Sequence, residues 1–354
     1  MIHTQFSYES STELQGIAFC ALRHMLLKQT KTANSKVLED TERSLLLEAE
    51  QCHLNLCVPQ SGKPVLRIAA NDEYSLFQQK CAFVQQLHSK TPKVAANLHW
   101  LGHVTDSPLP ANFTFVRVRD VSPLGPAFLR MTLEAEDLSQ HRDTSIHFRF
   151  VQPPEDKKAS WPAVAPNGSI LWPDDDGAPH KPVYTTRSIN YSENTLIVDV
   201  FVHAGGHTTA WAQQLLDGNN ERQIIGIVGP VGGGTLDTEK VLMAADETGF
   251  PAAARILENL PDHATGTVFL ESERGVECEY PMTHPKGINV TWLTRSADIS
   301  LTQAMLAALP NHPTSKIWFA GEREQARQIR EAAKALGRDT GDLRISGFWS
   351  AKTS

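Results

Sequence analysis

Residues 239–272 read EKVLMAADETGFPAAARILENLPDHATGTVFLES. An apolar run from Val241 to Ala245 breaks at Asp246–Glu247–Thr248–Gly249 and gives way to the helical stretch PAAARILENL. A Pro-Asp turn then leads into a second short apolar run, TGTVFLES. Strand, helix and strand in that order predict a crossover connection that leaves the two strands parallel. The alternation continues toward the C-terminus with INVTWLT, ISLTQAMLAAL, SKIWFAG and EREQARQIREAAKALG. Residues 238–354 therefore predict an α/β domain, a parallel sheet with helices on its faces. Its first turn, Asp246 to Thr248, lies at the carboxyl end of a strand, where open α/β sheets bind ligands. The turn lacks G-x-G-x-x-G, so it is not the standard dinucleotide fingerprint.

Upstream the texture is different. FTFVRVRDVSP, AFLRMTLEAEDL and TSIHFRFV alternate apolar and polar residues, and NTLIVDVFVHA and RQIIGIVGP continue the strands. Ile146, Phe148 and Phe150 share one face of their strand, with His147 and Arg149 on the other. About six strands with a single helix at TTAWAQQLLDG predict a small antiparallel barrel over 113–237. Residues 152–182 form a Pro/Asp/Gly-rich insert, and GPVGGG reads as a barrel-closing turn.

Residues 1–101 predict a small α+β domain, joined to the barrel by a linker, GHVTDSPLPAN, over 102–112. STELQGIAFCALRHMLLKQ carries Leu14, Ile17, Ala18, Ala21, Leu22, Met25 and Leu26 at helical spacing, with Ser10 or Ser11 as the expected cap. RSLLLEAEQCHLNLCVP and KPVLRIAA read as strands, and DEYSLFQQKCAFVQQLHSK as a helix.

The bulk numbers narrow the function classes. A chain of 354 residues with 41% apolar and 21% charged residues suits two or three globular domains. The net charge of −7 argues against a general nucleic-acid binder. No signal peptide is expected from MIHTQFSYES, and no apolar run is long enough to span a membrane. The 5 cysteines are scattered and poorly spaced for zinc, so no metal site is expected and a reducing cytoplasm is.

Seven ordered pieces carry a family resemblance: RMTLEAEDL, YTTR, VFVHAGGHTTAWA, IVGPVGG, ADETGFPAAARILENLP, WFAGE and GFW. Over roughly residues 113–354 the chain resembles the ferredoxin-reductase superfamily, and within it the siderophore-interacting, ferric-siderophore reductase family. The first 100 residues resemble a small domain family of unknown function, through LRHMLLK and ANLHW. The family resemblance implies an FAD-binding barrel followed by a lobe that binds NAD(P)H, with ferredoxin as another donor to consider. It implies that Tyr184 stacks on the flavin and that Thr185 offers a group near its reactive nitrogen, these two being the catalytic candidates. Arg187 would pair with the pyrophosphate. His203, Gly205, Gly206, Thr208 and Thr209 would form the phosphate turn at a helix start. Asp246, Glu247 and Thr248 would face the nicotinamide, with Trp349 in the family's C-terminal aromatic pair. The chain departs from the family at Pro182, where an Arg is usual, with Lys181 or Arg187 as substitute. It departs again at Ser350, where Lys352 is the nearest cation.

The resemblance implies reduction of a chelated ferric ion, which releases iron because siderophore oxygen donors hold Fe²⁺ far less well than Fe³⁺. Arg130, His147, Arg149 and Lys352 are the candidates for binding an anionic ferric siderophore. Each is equally a solvated charge on a strand face. Two other readings stay open. One is a flavin reductase or ferredoxin-linked electron carrier with a different acceptor. The other is a non-enzymatic siderophore- or iron-sensing binding protein. A cytoplasmic monomer is expected.

Overall fold

The computed structural model describes residues 6–30, 35–49, 51–103, 107–142, 144–155, 159–174, 177–218, 223–295 and 299–351. The chain divides into two units. One comprises residues 1–113 with 153–180, the other 114–152 with 181–354.

The first unit is built on a mixed-order antiparallel sheet. Its strands are β1 (Tyr8–Glu13), β2 (Lys36–Asp40), β3 (Ser44–Ala49), β4 (Cys52–Cys57), β5 (Val65–Ala70) and β6 (Leu101–Gly102), in the order β2-β3-β4-β5-β1-β6. Helices α1 (Phe19–Thr30), α2 (Glu73–Lys90) and α3 (Pro92–Ala96) accompany it. Two expectations are corrected here. Ser10 and Ser11 are not helix caps but lie inside β1, opposite Ile68 and Arg67 of β5. The pairing wins because all of β1, Tyr8 to Glu13, finds backbone partners along β5, and the helix starts only at Phe19, beyond Gly16 at φ +77°. Helical spacing does hold within α1, where Leu22, Met25 and Leu26 are buried. RSLLLEAEQCHLNLCVP is a hairpin of two strands, β3 and β4, whose alternating burial places Leu45, Leu47, Leu54 and Leu56 in one core. The insert adds a small hairpin, β10 (Ala163–Val164) with β11 (Ile170–Leu171).

The second unit begins with β7 (Phe113–Leu124), whose first residue belongs to the other unit, β8 (Phe128–Ala135) and β9 (His147–Val151). After the insert come β12 (Val183–Thr185), β13 (Ser188–Asn190), β14 (Thr195–Phe201), helix α4 (His207–Leu216) and β15 (Ile224–Val231). The seven strands form one sheet in the order β12-β9-β15-β7-β8-β14-β13, antiparallel in each pair whose register is resolved. Its two edge strands are consecutive in the chain, linked by Thr186–Arg187.

The α/β lobe follows the expected alternation: β16 (Lys240–Asp246), α5 (Phe250–Glu258), β17 (Thr265–Ser272), β18 (Gly287–Thr294), α6 (Leu301–Ala308), β19 (Lys316–Glu322) and α7 (Arg323–Ala335). A fifth strand, β20 (Leu343–Trp349), completes a fully parallel sheet ordered β18-β17-β16-β19-β20. The order reverses between β16 and β19, and the crevice beyond their carboxyl ends is the natural ligand position in such sheets. Sheet and lobe share a core, since Phe128 of β8 packs with Phe250 of α5 and Tyr280.

Candidate functional site

Strands β9 and β12 set the first half of the site. Their antiparallel register places Thr185 opposite His147 and Tyr184 opposite Phe148. The Thr185 hydroxyl and His147 Nδ1 lie 3.1 Å apart. Burial, reinforced by Arg255, pushes the imidazole down to about 4, so His147 is neutral at neutral pH. As a cation for an anionic ligand it is therefore spent. Gly232, at φ +76°, passes so close that a Cβ there would lie 2.9 Å from His147 Cδ2. Gly229–Val231 of GPVGGG lie within β15, so the turn starts only at Gly232, where backbone and packing require glycine.

Tyr184 is half-buried, edge-on to Phe150 with ring centroids 5.2 Å apart. Burial raises its phenol, and a hydrogen bond with Thr208 opposes the shift. Thr208 is itself buried and donates to Gln152 Oε1 at 3.3 Å, so its hydroxyl serves the domain interior. The Thr209 hydroxyl donates to the Phe201 carbonyl at 3.3 Å and lies 3.5 Å from the His203 amide, closing the turn. Gly205 sits at φ +74°, and a Cβ at Gly206 would lie 2.8 Å from both His203 Nε2 and Thr209 Oγ1. His203 is exposed. Gly206 caps α4 without a side chain, so the first-turn amides of α4 form a donor set suited to an anion.

Arg187 follows β12 and turns its guanidinium to Glu258 at the end of α5, through both terminal nitrogens. Its side chain is 11% exposed and its Nε is buried without a hydrogen-bond partner. The neighbouring Thr186 hydroxyl is buried and unpartnered as well, while the Thr186 carbonyl accepts from Arg255. Arg130 forms a two-point pair with Asp199, Nε–Oδ1 at 2.7 Å and Nη2–Oδ2 at 2.9 Å. The Asp199 side chain has 0% exposure, and the Tyr280 hydroxyl donates to it at 2.6 Å. Neither arginine presents a free guanidinium. Arg149, on the same strand face as His147, is exposed and donates only to the Lys181 carbonyl at 3.3 Å, among the described contacts. Lys352 lies outside the described residues.

The second half lies at the β16 turn. The Asp246 carboxylate is buried and accepts from Thr248 N at 2.9 Å, Thr248 Oγ1 at 2.5 Å and Trp349 Nε1 at 2.6 Å. Burial raises its pKa, against those hydrogen bonds. Glu247 is also raised by burial, and pairs with Arg295. Glu322 of WFAGE caps α7 by accepting from the amides of Glu324 and Gln325. Two adjacent residues of β20 join the halves. Phe348 stands edge-on to His147 with centroids 5.6 Å apart, and Trp349 holds Asp246. Both aromatic side chains remain more than a third exposed.

Residues 116–234 match the siderophore-interacting FAD-binding domain, and residues 238–352 match the siderophore-interacting protein domain. The ferric vibriobactin reductase of Vibrio cholerae is 31% identical over 237 residues, covering 63% of this chain and 82% of that protein. This chain belongs to the siderophore-interacting protein family. Another relative in sequence, the NADPH-dependent ferric-chelate reductase of Escherichia coli K12, is 28% identical over 249 residues, covering 68% of this chain and 94% of that one. Among solved structures, a siderophore utilization protein from T. fusca is 26% identical with a TM-score of 0.53, over 71% of this chain and 97% of its own. The siderophore-interacting protein of Aeromonas hydrophila shares the fold, with a TM-score of 0.55 at 19% identity over 69% of this chain and 93% of its own. These alignments account for the FAD-binding β domain and the parallel α/β domain of the family.

The donor chemistry of the β domain fits FAD. The buried, unpartnered Thr186 hydroxyl and Arg187 Nε flank the strand end, and the tight Gly205–Gly206 turn leads into the α4 amides. The sequence points to Tyr184, Thr185 and the glycine turn but misses Thr186, whose hydroxyl carries no signal outside its fold. It also misses Glu258, Asp199 and Tyr280, partners 71, 69 and 81 positions distant from the residues they engage.

Proposed function

We propose that this protein is a flavin-dependent ferric-siderophore reductase, using NAD(P)H as donor and a ferric chelate as acceptor. The observation that carries this reading is the junction at β20, where Phe348 meets His147 of the β domain and Trp349 meets Asp246 of the α/β lobe. Contacts from adjacent residues to the β9 strand and to the β16 turn support a reading in which flavin and nicotinamide meet there. FAD, held without a covalent bond, supplies the link between a two-electron donor and a one-electron ferric acceptor.

In this reading Tyr184 offers a half-buried aromatic wall, and Thr185 is held in place by His147. Thr186 and the α4 amides supply hydrogen bonds to the anionic and polar parts of the cofactor. Asp246, Glu247 and Thr248 shape the donor side. A hydrogen-bonded Asp246 keeps the Trp349 indole from swinging freely. Arg149 beside Lys181 is the favoured contact for an anionic chelate, since burial and the neighbouring Arg149 both lower the Lys181 ammonium. An anion between two cations relieves that repulsion. Ferredoxin as an alternative donor, a monomeric state, a cytoplasmic location and a boundary between β domain and α/β lobe at 237/238 belong to the same proposal.

The test starts with the absorption spectrum of the purified protein, where flavin bands are expected near ~450 nm and should be released by heat. Reduction of a ferric catecholate by NADPH and by NADH is then followed through a ferrous-iron trap. Reduction of free flavin or quinone without any ferric-chelate turnover would select the electron-carrier reading instead. A colourless protein that cannot be loaded with FAD would select the binding-protein reading.

A further inference from the structure

The insert between β9 and β12 is packed into the first unit through specific contacts. Trp100 Nε1 donates to the Asn167 carbonyl at 2.8 Å, and Asn167 Nδ2 donates to the Ala95 carbonyl at 3.0 Å. The Cys81 thiol lies 3.1 Å from the Gly168 carbonyl. These contacts seat the β10–β11 hairpin against α2. They leave a cavity of about 410 Å³ between hairpin and helix, within the range of small-molecule sites.

The walls of this cavity differ in chemistry. From α2 come Val84, Gln85 and His88, residues at helical spacing on one face. From the hairpin and its continuation come Ser169, Ile170 and Trp172. Val84, Ile170 and the Trp172 indole make apolar surfaces, and an indole face favours a flat π-system. Gln85 and His88 bring N–H donors, both on exposed residues at the mouth. The Ser169 hydroxyl is already donating, to Asn167 Oδ1 at 2.8 Å. Only its lone pairs remain, so it asks for a hydroxyl or N–H on the ligand.

We propose that this cavity binds a small planar aromatic ligand carrying a hydroxyl next to a carboxylate or amide carbonyl. The ring lies against Trp172, between Val84 and Ile170. The ligand hydroxyl donates to Ser169, and the carbonyl or carboxylate oxygens accept from Gln85 and His88. The proposal is independent of the flavin site, because each of these residues belongs to the first unit. It gives the first unit a ligand of its own, bound where the insert meets α2. In the chain, β9 leads into the insert and β12 follows it.

The experiment is calorimetric titration of the full-length protein with salicylate, and with cyclohexanecarboxylate as a saturated, non-planar control. Saturable 1:1 binding of salicylate is expected, with the control at least about tenfold weaker. Trp172→Ala should weaken salicylate about tenfold, and Gln85→Leu several-fold, with the far-ultraviolet spectrum unchanged. Gln85 is exposed, so its variant remains informative if Trp172→Ala fails to fold. Absence of binding at millimolar salicylate would overturn the proposal. So would equal binding of the saturated control, or salicylate affinity unchanged in the Gln85→Leu protein.

Discussion

Arg130 is held by a carboxylate with no exposed surface, and that decides what its removal does. Arg130→Ala would leave Asp199 buried with only the Tyr280 hydroxyl as partner, a cost on the order of 3 kcal/mol. A matched Arg130→Met/Asp199→Leu pair should recover most of the loss in a urea titration. A selective loss of chelate affinity with unchanged stability would return Arg130 to the acceptor site. Two histidines set a pH response. Burial takes His141 and His147 from 6.5 down to about 4. Their folded values are depressed, so the unfolded chain binds the extra protons and stability falls as pH drops from about 6.5 to about 4. Each contributes on the order of 3 kcal/mol by the lower end of that window. Melting curves at pH 7, 5.5 and 4.5 check this, and His147→Gln should flatten the acid limb.

At the scale of elements, β20 decides how the two halves of the site meet. It pairs in parallel with β19, Gly347 opposite Gly321 and Trp349 opposite Glu322, and Phe348 is the extra residue of a bulge between them. A Cβ at Gly347 would lie 2.7 Å from Arg323 Cα, a backbone atom that cannot move aside cheaply. Gly347→Ala should therefore destabilise the lobe by about 1–3 kcal/mol and displace Phe348 from His147. Loss of the flavin-band shift on NAD(P)H binding would report that displacement, whereas an unperturbed spectrum and melting temperature would refute it. Trp349→Phe removes one donor from the buried Asp246 and should cost about 1–2 kcal/mol. Its carboxyl pKa, already raised by burial, should rise further and move the pH profile of NAD(P)H binding upward.

For the whole molecule, the division into units follows packing more than chain order. Residues 153–180 belong with residues 1–113, so a fragment ending at 113 lacks the hairpin that partners Trp100, Ala95 and Cys81. Such a fragment should melt at lower temperature than the same unit in the intact chain, and should be cleaved faster around α3 in limited proteolysis. FAD should act differently. A ligand of the β domain at a hundred times its dissociation constant adds about 2.7 kcal/mol to the unit that binds it. Calorimetry of the full chain with and without FAD should raise the transition of the second unit and leave that of the first in place. No helix among the described residues is long and apolar enough to cross a membrane.

The sequence by itself determined what depends on local pattern. The strand–helix alternation from Val241 onward specifies the parallel α/β lobe, because a helical crossover covers the sheet and leaves successive strands parallel. The ordered pieces YTTR, HAGGHTT and ADETGF specify the family and hence its cofactor. Tertiary structure decided what depends on partners distant in the chain. Ser10 and Ser11 belong to a strand because β5 pairs with it, which outweighs helical spacing. Arg187 and Arg130 read as ligands for anions, yet Glu258 and Asp199 reach them first, since a half-buried guanidinium must find a carboxylate or lose its solvation. His147 reads as a base for the chelate, yet burial against Phe348 and Gly232 leaves it neutral. Charge is legible in a sequence, but its availability is set by burial and pairing, which exist only once the chain has folded.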